Sequence, residues 1–164
     1  MAGWTAPFVF DGPLRQAVHA LKYRGTTAVA PPLAKAMFEH FRAVSIGIAG
    51  VAPVPLHPQR LRQRGFNQAA LLAQPLARAL GVPLVEGLTR SRATPPQVGM
   101  GSAALRHENV RGAFTWEGPP LSGGSILLVD DVSTTGATLS AAAEALIAGG
   151  AGAVWGLVLA KEVS

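Results

Sequence analysis

The chain has 164 residues, a formal charge of +5 and no cysteine. That length suits one domain able to bury about two-thirds of its unfolded surface without covalent staples, and the missing thiol excludes disulfides, thiolate metal sites and a cysteine nucleophile. The basic balance favours anionic partners: phosphates, nucleic acid or acidic lipid.

In chain order, Leu14, Ala17, Val18 and Leu21 recur at helical spacing, and the spacing predicts a helix ended by Lys22-Tyr23-Arg24-Gly25. Pro31-Pro32 reads as a break before a second helix from Leu33 to Phe41. Ile46 to Val54 reads as a strand stopped by Pro55 and Pro58. A basic connector follows, Arg60-Leu61-Arg62-Gln63-Arg64-Gly65. An apolar helix then runs from about Phe66 to Leu80, with Gly81 as its cap. Val82 to Thr89 suggests a short strand. Ser91 to Ser102, with Pro95, Pro96, Gly99 and Gly101, reads as a long mobile loop. Phe114–Trp116, Ile126–Val129 and Ala153–Ala160 read as strands, with a helix over Ala137–Ala148. Apolar strands alternating with helices imply an α/β fold, a mainly parallel sheet covered on both faces. No segment joins a charged start to a long apolar core, so neither a signal peptide nor a membrane span is expected. The absence of thiols fits a reducing cytoplasm.

Two of the three aspartates are adjacent, Asp130 and Asp131, and they end the apolar run Ile126–Val129. Like charges side by side destabilise each other, the more so among apolar neighbours. A polyhydroxylated or metal-bound ligand would relieve them. The next residues, Ser133-Thr134-Thr135-Gly136-Ala137-Thr138, bring hydroxyls and a glycine to a helix N-terminus, where backbone N–H groups favour a phosphate. Carboxylates for a diol beside a phosphate cradle suit ribose 5-phosphate. The plain alternative is a strand–turn–helix with a capping aspartate. A Walker B strand would need a companion G-x-x-x-x-G-K-[ST] loop, and Lys22, Lys35 and Lys161 stand in none. A response-regulator receiver would carry its acids near the start of the fold.

This segment resembles the phosphoribosyl-pyrophosphate (PRPP) fingerprint of type I phosphoribosyltransferases. The resemblance implies that Asp130 and Asp131 take the ribose hydroxyls and that Ser133, Thr134, Thr135, Gly136, Ala137 and Thr138 wrap the 5′-phosphate. Arg60, Arg64, Gly65, Phe66, Asn67 and Gln68 are similar to the R-G-F-N-Q signature of the ComF family, a subgroup tied to bacterial competence. There the cationic loop would hold pyrophosphate; taken alone, it is equally a solvated connector or a nucleic-acid patch. Arg90, Arg92, Thr94 and Gln97, followed by Arg106, Asn109 and the Gly112-Ala113-Phe114 strand, resemble the family's order in this part of the chain, which implies a mobile loop that closes over the reactive centre; an ordinary surface loop is the plain alternative. Leu21-Lys22-Tyr23-Arg24-Gly25 is similar to its L-K-Y-x-G, which implies a phosphate contact from Lys22 or Arg24; a basic residue complementing the helix dipole is the other reading. The four histidines show no metal-like spacing.

The resemblance implies a type I phosphoribosyltransferase-like α/β domain with a small hood near the N-terminus, where Trp4, Phe8, Phe10 and Tyr23 offer stacking surfaces. It implies transfer of ribose 5-phosphate from PRPP to an acceptor, with Mg²⁺ carried by PRPP oxygens rather than bound directly. Thr134 stands where purine-salvage relatives commonly carry an acid, so no general base is evident. Many ComF relatives carry an N-terminal four-cysteine zinc ribbon that residues 1–164 lack; either the true start lies upstream or this member lost the module. A PRPP-sensing regulator and an accessory of DNA uptake, touching single-stranded DNA or the uptake machinery, are the other function classes. A homodimer is a further expectation.

Overall fold

The computed structural model describes residues 1–23, 27–92, 102, 104 and 110–163. Thr94 and Gln97, with Arg24, Gly25, Arg106, Asn109 and the Tyr23 side chain, lie outside the described residues.

The main sheet has the order β1–β7–β6–β3, with β2 also on β7, and all its pairings are parallel. Its centre is β6 (Ser125–Ser133) beside β7 (Ala153–Lys161), flanked by β3 (Gly50–Pro53). On the outer edge, β1 (Gly3–Thr5) and β2 (Phe8–Val9) follow β7 as one strand interrupted at Ala6-Pro7. Proline has no N–H for the ladder, so it falls at the interruption.

Strand alternation sends β6 into two cores. Ile126 and Leu128 join Val154, Val158, Leu139 and Leu146 under α5 (Ala137–Ala148). Leu127 and Val129 join Leu157 and Leu159 under three helices: α1 (Gly12–Tyr23), α2 (Ala30–Arg42) and α4 (Gln68–Leu80). Both faces of the sheet are therefore covered, which is why its strands read as continuous apolar runs. A two-stranded antiparallel sheet, β4 (Leu88–Arg90) with β5 (Phe114–Trp116), packs on the α5 side.

Several boundaries differ from the sequence reading. Pro31 and Pro32 do not break α2 but sit in its first turn, after a 3₁₀ turn over Thr27–Val29, where their missing N–H groups have no helical partner to lose. The connector from Arg60 is helical: α3 spans Pro58–Arg64, with His57 accepting the Gln59 N–H at 3.2 Å and Gly65 closing it at φ 84°. Strand pairing in β3 begins only at Gly50; Ile46 and Ile48 pack on the core without joining it. The 82–87 stretch meets the main sheet only around Val51, where Leu84 forms an isolated bridge, the Pro83 carbonyl accepts the Val51 N–H at 3.0 Å and the Val85 N–H donates to the Val51 carbonyl at 2.6 Å. The N-terminal residues expected in a hood instead extend the sheet edge.

Candidate functional site

The site is built at the carboxyl ends of β6 and β3, where open α/β sheets bind ligands. Because side chains alternate, Asp130 continues the α5 face and Asp131 the opposite one. The neighbours agree: Asp131 Oδ2 lies 3.0 Å from the Lys22 ammonium of α1. Oδ1 of Asp131 accepts the Val132 N–H at 2.8 Å, and Asp130 Oδ1 accepts the Asp131 N–H at 2.9 Å. The Asp131 side chain is only 6% exposed and Lys22 26%. Asp130 keeps partial exposure, yet burial first and the adjacent Asp131 second push its carboxyl well above the usual aspartate range. The two acids are thus unequal.

After Ser133 the backbone turns at Gly136, whose φ of 78° favours glycine. Ser133 Oγ accepts the Gly136 N–H at 3.0 Å and fixes the loop. No side chain caps α5, so the helix offers its first N–H groups to a ligand. The Thr135 hydroxyl is buried and has no hydrogen-bond partner among the described residues. An orphaned buried hydroxyl is costly, and it belongs to the segment read as a phosphate cradle. A Cβ on Gly136 would stand 2.7 Å from Trp4 Nε1, so the indole of β1 backs the loop. Lys161 Nζ lies 5.7 Å from the Trp4 ring centroid. Nothing in the sequence signalled this contact with Trp4, which depends on the parallel pairing of the chain's first strand with its last.

The cationic side comes from α3 and the β4–β5 pair. Arg64 Nη1 donates to Gln68 Oε1 at 2.8 Å, and Gln68 is buried. Asn67 donates to the Val54 carbonyl at 3.1 Å and accepts the Ala69 N–H at 3.0 Å, capping α4. Its polar atoms tie the start of α4 to Val54, the residue after β3. Arg90, expected in the loop, stands on β4, with its guanidinium 5.2 Å from the Phe114 ring centroid. Burial first, then repulsion from Arg60, lowers its pKa, while Asp130 opposes that shift and Arg92 adds to it. Arg60, Arg90, Arg92 and Asp130 therefore share one field. Arg92 also donates to the Arg111 carbonyl at 2.6 Å. Of the sequence-predicted residues, the structure places Arg60, Arg92 and Asp130 each within the field of Arg90, and Asp131 beside Lys22.

A parallel sheet sandwiched by helices, with a diacid and a hydroxyl loop at its strand ends, defines a phosphoribosyltransferase-like protein. Residues 67–161 match the family model described as the phosphoribosyl transferase domain, and the chain belongs to that family. Within it the chain is a ComF-family member. It is 38% identical over 151 residues to the DNA utilization protein YhgH of Salmonella typhi, covering 88% of this chain and 66% of that protein. It is 41% identical over 96 residues to Competence protein F of Haemophilus influenzae, covering 55% and 40%. The chain thus spans slightly less than two thirds of the first relative's length and 40% of the second's. Among solved structures, adenine phosphoribosyl transferase from Trypanosoma brucei shares the fold with a TM-score of 0.53 at 13% identity, over 93% of this chain and 80% of that one. No helix among the described residues is long and apolar enough to cross a membrane.

Proposed function

We propose that this protein binds PRPP with Mg²⁺ and transfers ribose 5-phosphate to an acceptor, releasing pyrophosphate. The observation that carries the reading is the buried, unpartnered Thr135 hydroxyl in an uncapped helix-start loop directly after the paired acids. A phosphate seated there would accept from Thr135 and from the first N–H groups of α5. Asp130 and Asp131 would face the ribose, with Arg60, Arg64 and Lys22 toward the pyrophosphate and Arg90 and Arg92 bordering it. Two carboxylates beside a phosphate site suit a magnesium carried on substrate oxygens. When bound, Mg²⁺ supplies charge neutralisation on the leaving group.

As pyrophosphate departs, the sugar carbon becomes cation-like. The acids stabilise that charge, and the guanidiniums hold the departing phosphates by paired N–H donors. Titration calorimetry with PRPP and Mg²⁺ tests the reading: saturable binding is expected, and no heat at millimolar ligand overturns it. Arg64→Ala should weaken PRPP and pyrophosphate about ten- to a hundred-fold and spare ribose 5-phosphate. Unchanged PRPP affinity would remove Arg64 from the pyrophosphate side.

A second reading is favoured by the relatives' names, DNA utilization protein and Competence protein F. In it the basic face, including the exposed Arg62 of α3, meets single-stranded DNA or the uptake machinery in the cytoplasm. Salt-steep DNA affinity that ignores PRPP supports this role. Tight PRPP binding without turnover across acceptors supports a sensor, and pyrophosphate release with any acceptor supports the enzyme.

A further inference from the structure

We propose that Lys22 is a shuttling counter-ion, closing Asp131 to the ribose diol in the ligand-free protein and moving to the pyrophosphate when PRPP enters, so that the two halves of the ligand bind cooperatively. This rests on the PRPP reading above.

Oδ1 of Asp131 accepts the Val132 N–H at 2.8 Å, and Oδ2, buried and without a hydrogen-bond partner among the described residues, faces the Lys22 ammonium as an ion pair at 3.0 Å. With the side chain 6% exposed, no face of the carboxylate is open to a sugar until Lys22 withdraws. Withdrawal leaves a buried carboxylate without its counter-charge, which is strongly unfavourable unless something replaces the ammonium. Diol hydroxyls restore the hydrogen bonds to Asp131 but give Lys22 no anion. Pyrophosphate does.

The geometry allows the exchange. Pro53 pairs with Val129, and the Val54 N–H donates to the Val129 carbonyl at 2.8 Å. The chain leading to α3 therefore leaves the sheet one strand away from the diacid, about 5 Å across. Lys22 ends α1 and carries its charge on a flexible four-carbon stem. Its neighbours Val18 and Leu21 are buried in the core, so the ammonium can swing while the helix stays docked. Its 26% exposure shows that one side of the stem faces solvent.

Ribose 5-phosphate alone brings a diol and a phosphate destined for the Ser133–Thr138 loop, and offers Lys22 no new anion in exchange for Asp131. PRPP relieves both partners at once. Lys22 thereby selects the activated sugar over its hydrolysis product.

The test measures ribose 5-phosphate affinity with and without saturating pyrophosphate, at fixed Mg²⁺, in wild type, Lys22→Met and Lys22→Arg. Thermal melts accompany each protein to verify folding. In wild type pyrophosphate should tighten ribose 5-phosphate about five-fold or more, and reciprocally. In Lys22→Met the coupling should fall at least several-fold, with ribose 5-phosphate binding without pyrophosphate preserved or improved; Lys22→Arg should retain coupling. Should Lys22→Met unfold, Lys22→Met/Asp131→Asn, which removes both charges, replaces it and should likewise lose coupling. Coupling within two-fold of wild type in a folded Lys22→Met or double variant overturns the shuttle while leaving PRPP binding intact. If wild type binds neither ligand, the PRPP reading itself fails, and the shuttle with it.

Discussion

At the scale of single residues, the paired acids illustrate how one strand makes two chemical environments. Asp131 lies 3.0 Å from the Lys22 ammonium, whereas the Asp130 carboxyl is pushed up by burial and by the charge next to it. A carboxyl whose pKa is raised on folding takes up a proton in the native state before the unfolded chain does. Its contribution to ligand-free stability is therefore greatest near the ordinary aspartate value of about 3.9 and declines as pH rises through the raised one. We expect urea midpoints of the ligand-free protein to fall across that window and Asp130→Asn to flatten the profile; a wild-type slope in the variant would contradict the assignment. Gly136 is the second telling residue. Gly136→Val forces a branched side chain to φ 78° and drives a Cβ toward Trp4 Nε1 at 2.7 Å. It should cost about 1–2 kcal/mol in backbone strain and abolish 5′-phosphate binding, with the sheet still folded. Normal ribose 5-phosphate affinity would show that the phosphate sits elsewhere.

Among the elements, α3 shows what hydropathy reading misses. Its Pro58-Gln59-Arg60-Leu61-Arg62-Gln63-Arg64 has no apolar face, and the structure finds no buried residue in it. It is defined at its ends, by His57 and Pro58 at the start and Gly65 at the stop, which are punctuation signals that a charge run obscures. By contrast, the Ala137–Ala148 helix is found with its sequence-read bounds, and β6 and β7 contain the apolar runs that announced them. The edge strands β1 and β2, three and two residues long, carry too few positions for alternation to register. The diacid and its loop were legible as a pattern, but their inequality was not, because Lys22 comes from a helix more than a hundred residues earlier. Asn67 joins two elements, capping α4 while bonding Val54. Asn67→Ala should lower stability by about 1–2 kcal/mol. Asn67→Asp should recover part of it, keeping the cap acceptor but losing the donor. An unchanged denaturant midpoint in Asn67→Ala would mean the strut carries no stability.

For the molecule as a whole, ligand binding and folding are linked. PRPP with Mg²⁺ at about a hundred times its dissociation constant should stabilise the native state by roughly 2.7 kcal/mol. For a domain of this size that corresponds to a melting shift of about 5–11 °C, readable by scanning calorimetry. No shift at saturation would argue against selective binding to the folded protein. The sheet's wiring adds a constraint on assembly. Gly3 pairs with Trp155 and Thr5 with Leu157, and the Trp4 of that strand backs the Gly136 loop. β1 must therefore wait for β7, which is made much later in the chain. A nascent chain on the ribosome can bury α1, α2 and α4 against each other, but β1 has no strand partner until β7 has emerged. Completion of this sheet edge, and with it the support behind the phosphate loop, thus comes only after β6, α5 and β7 have been made.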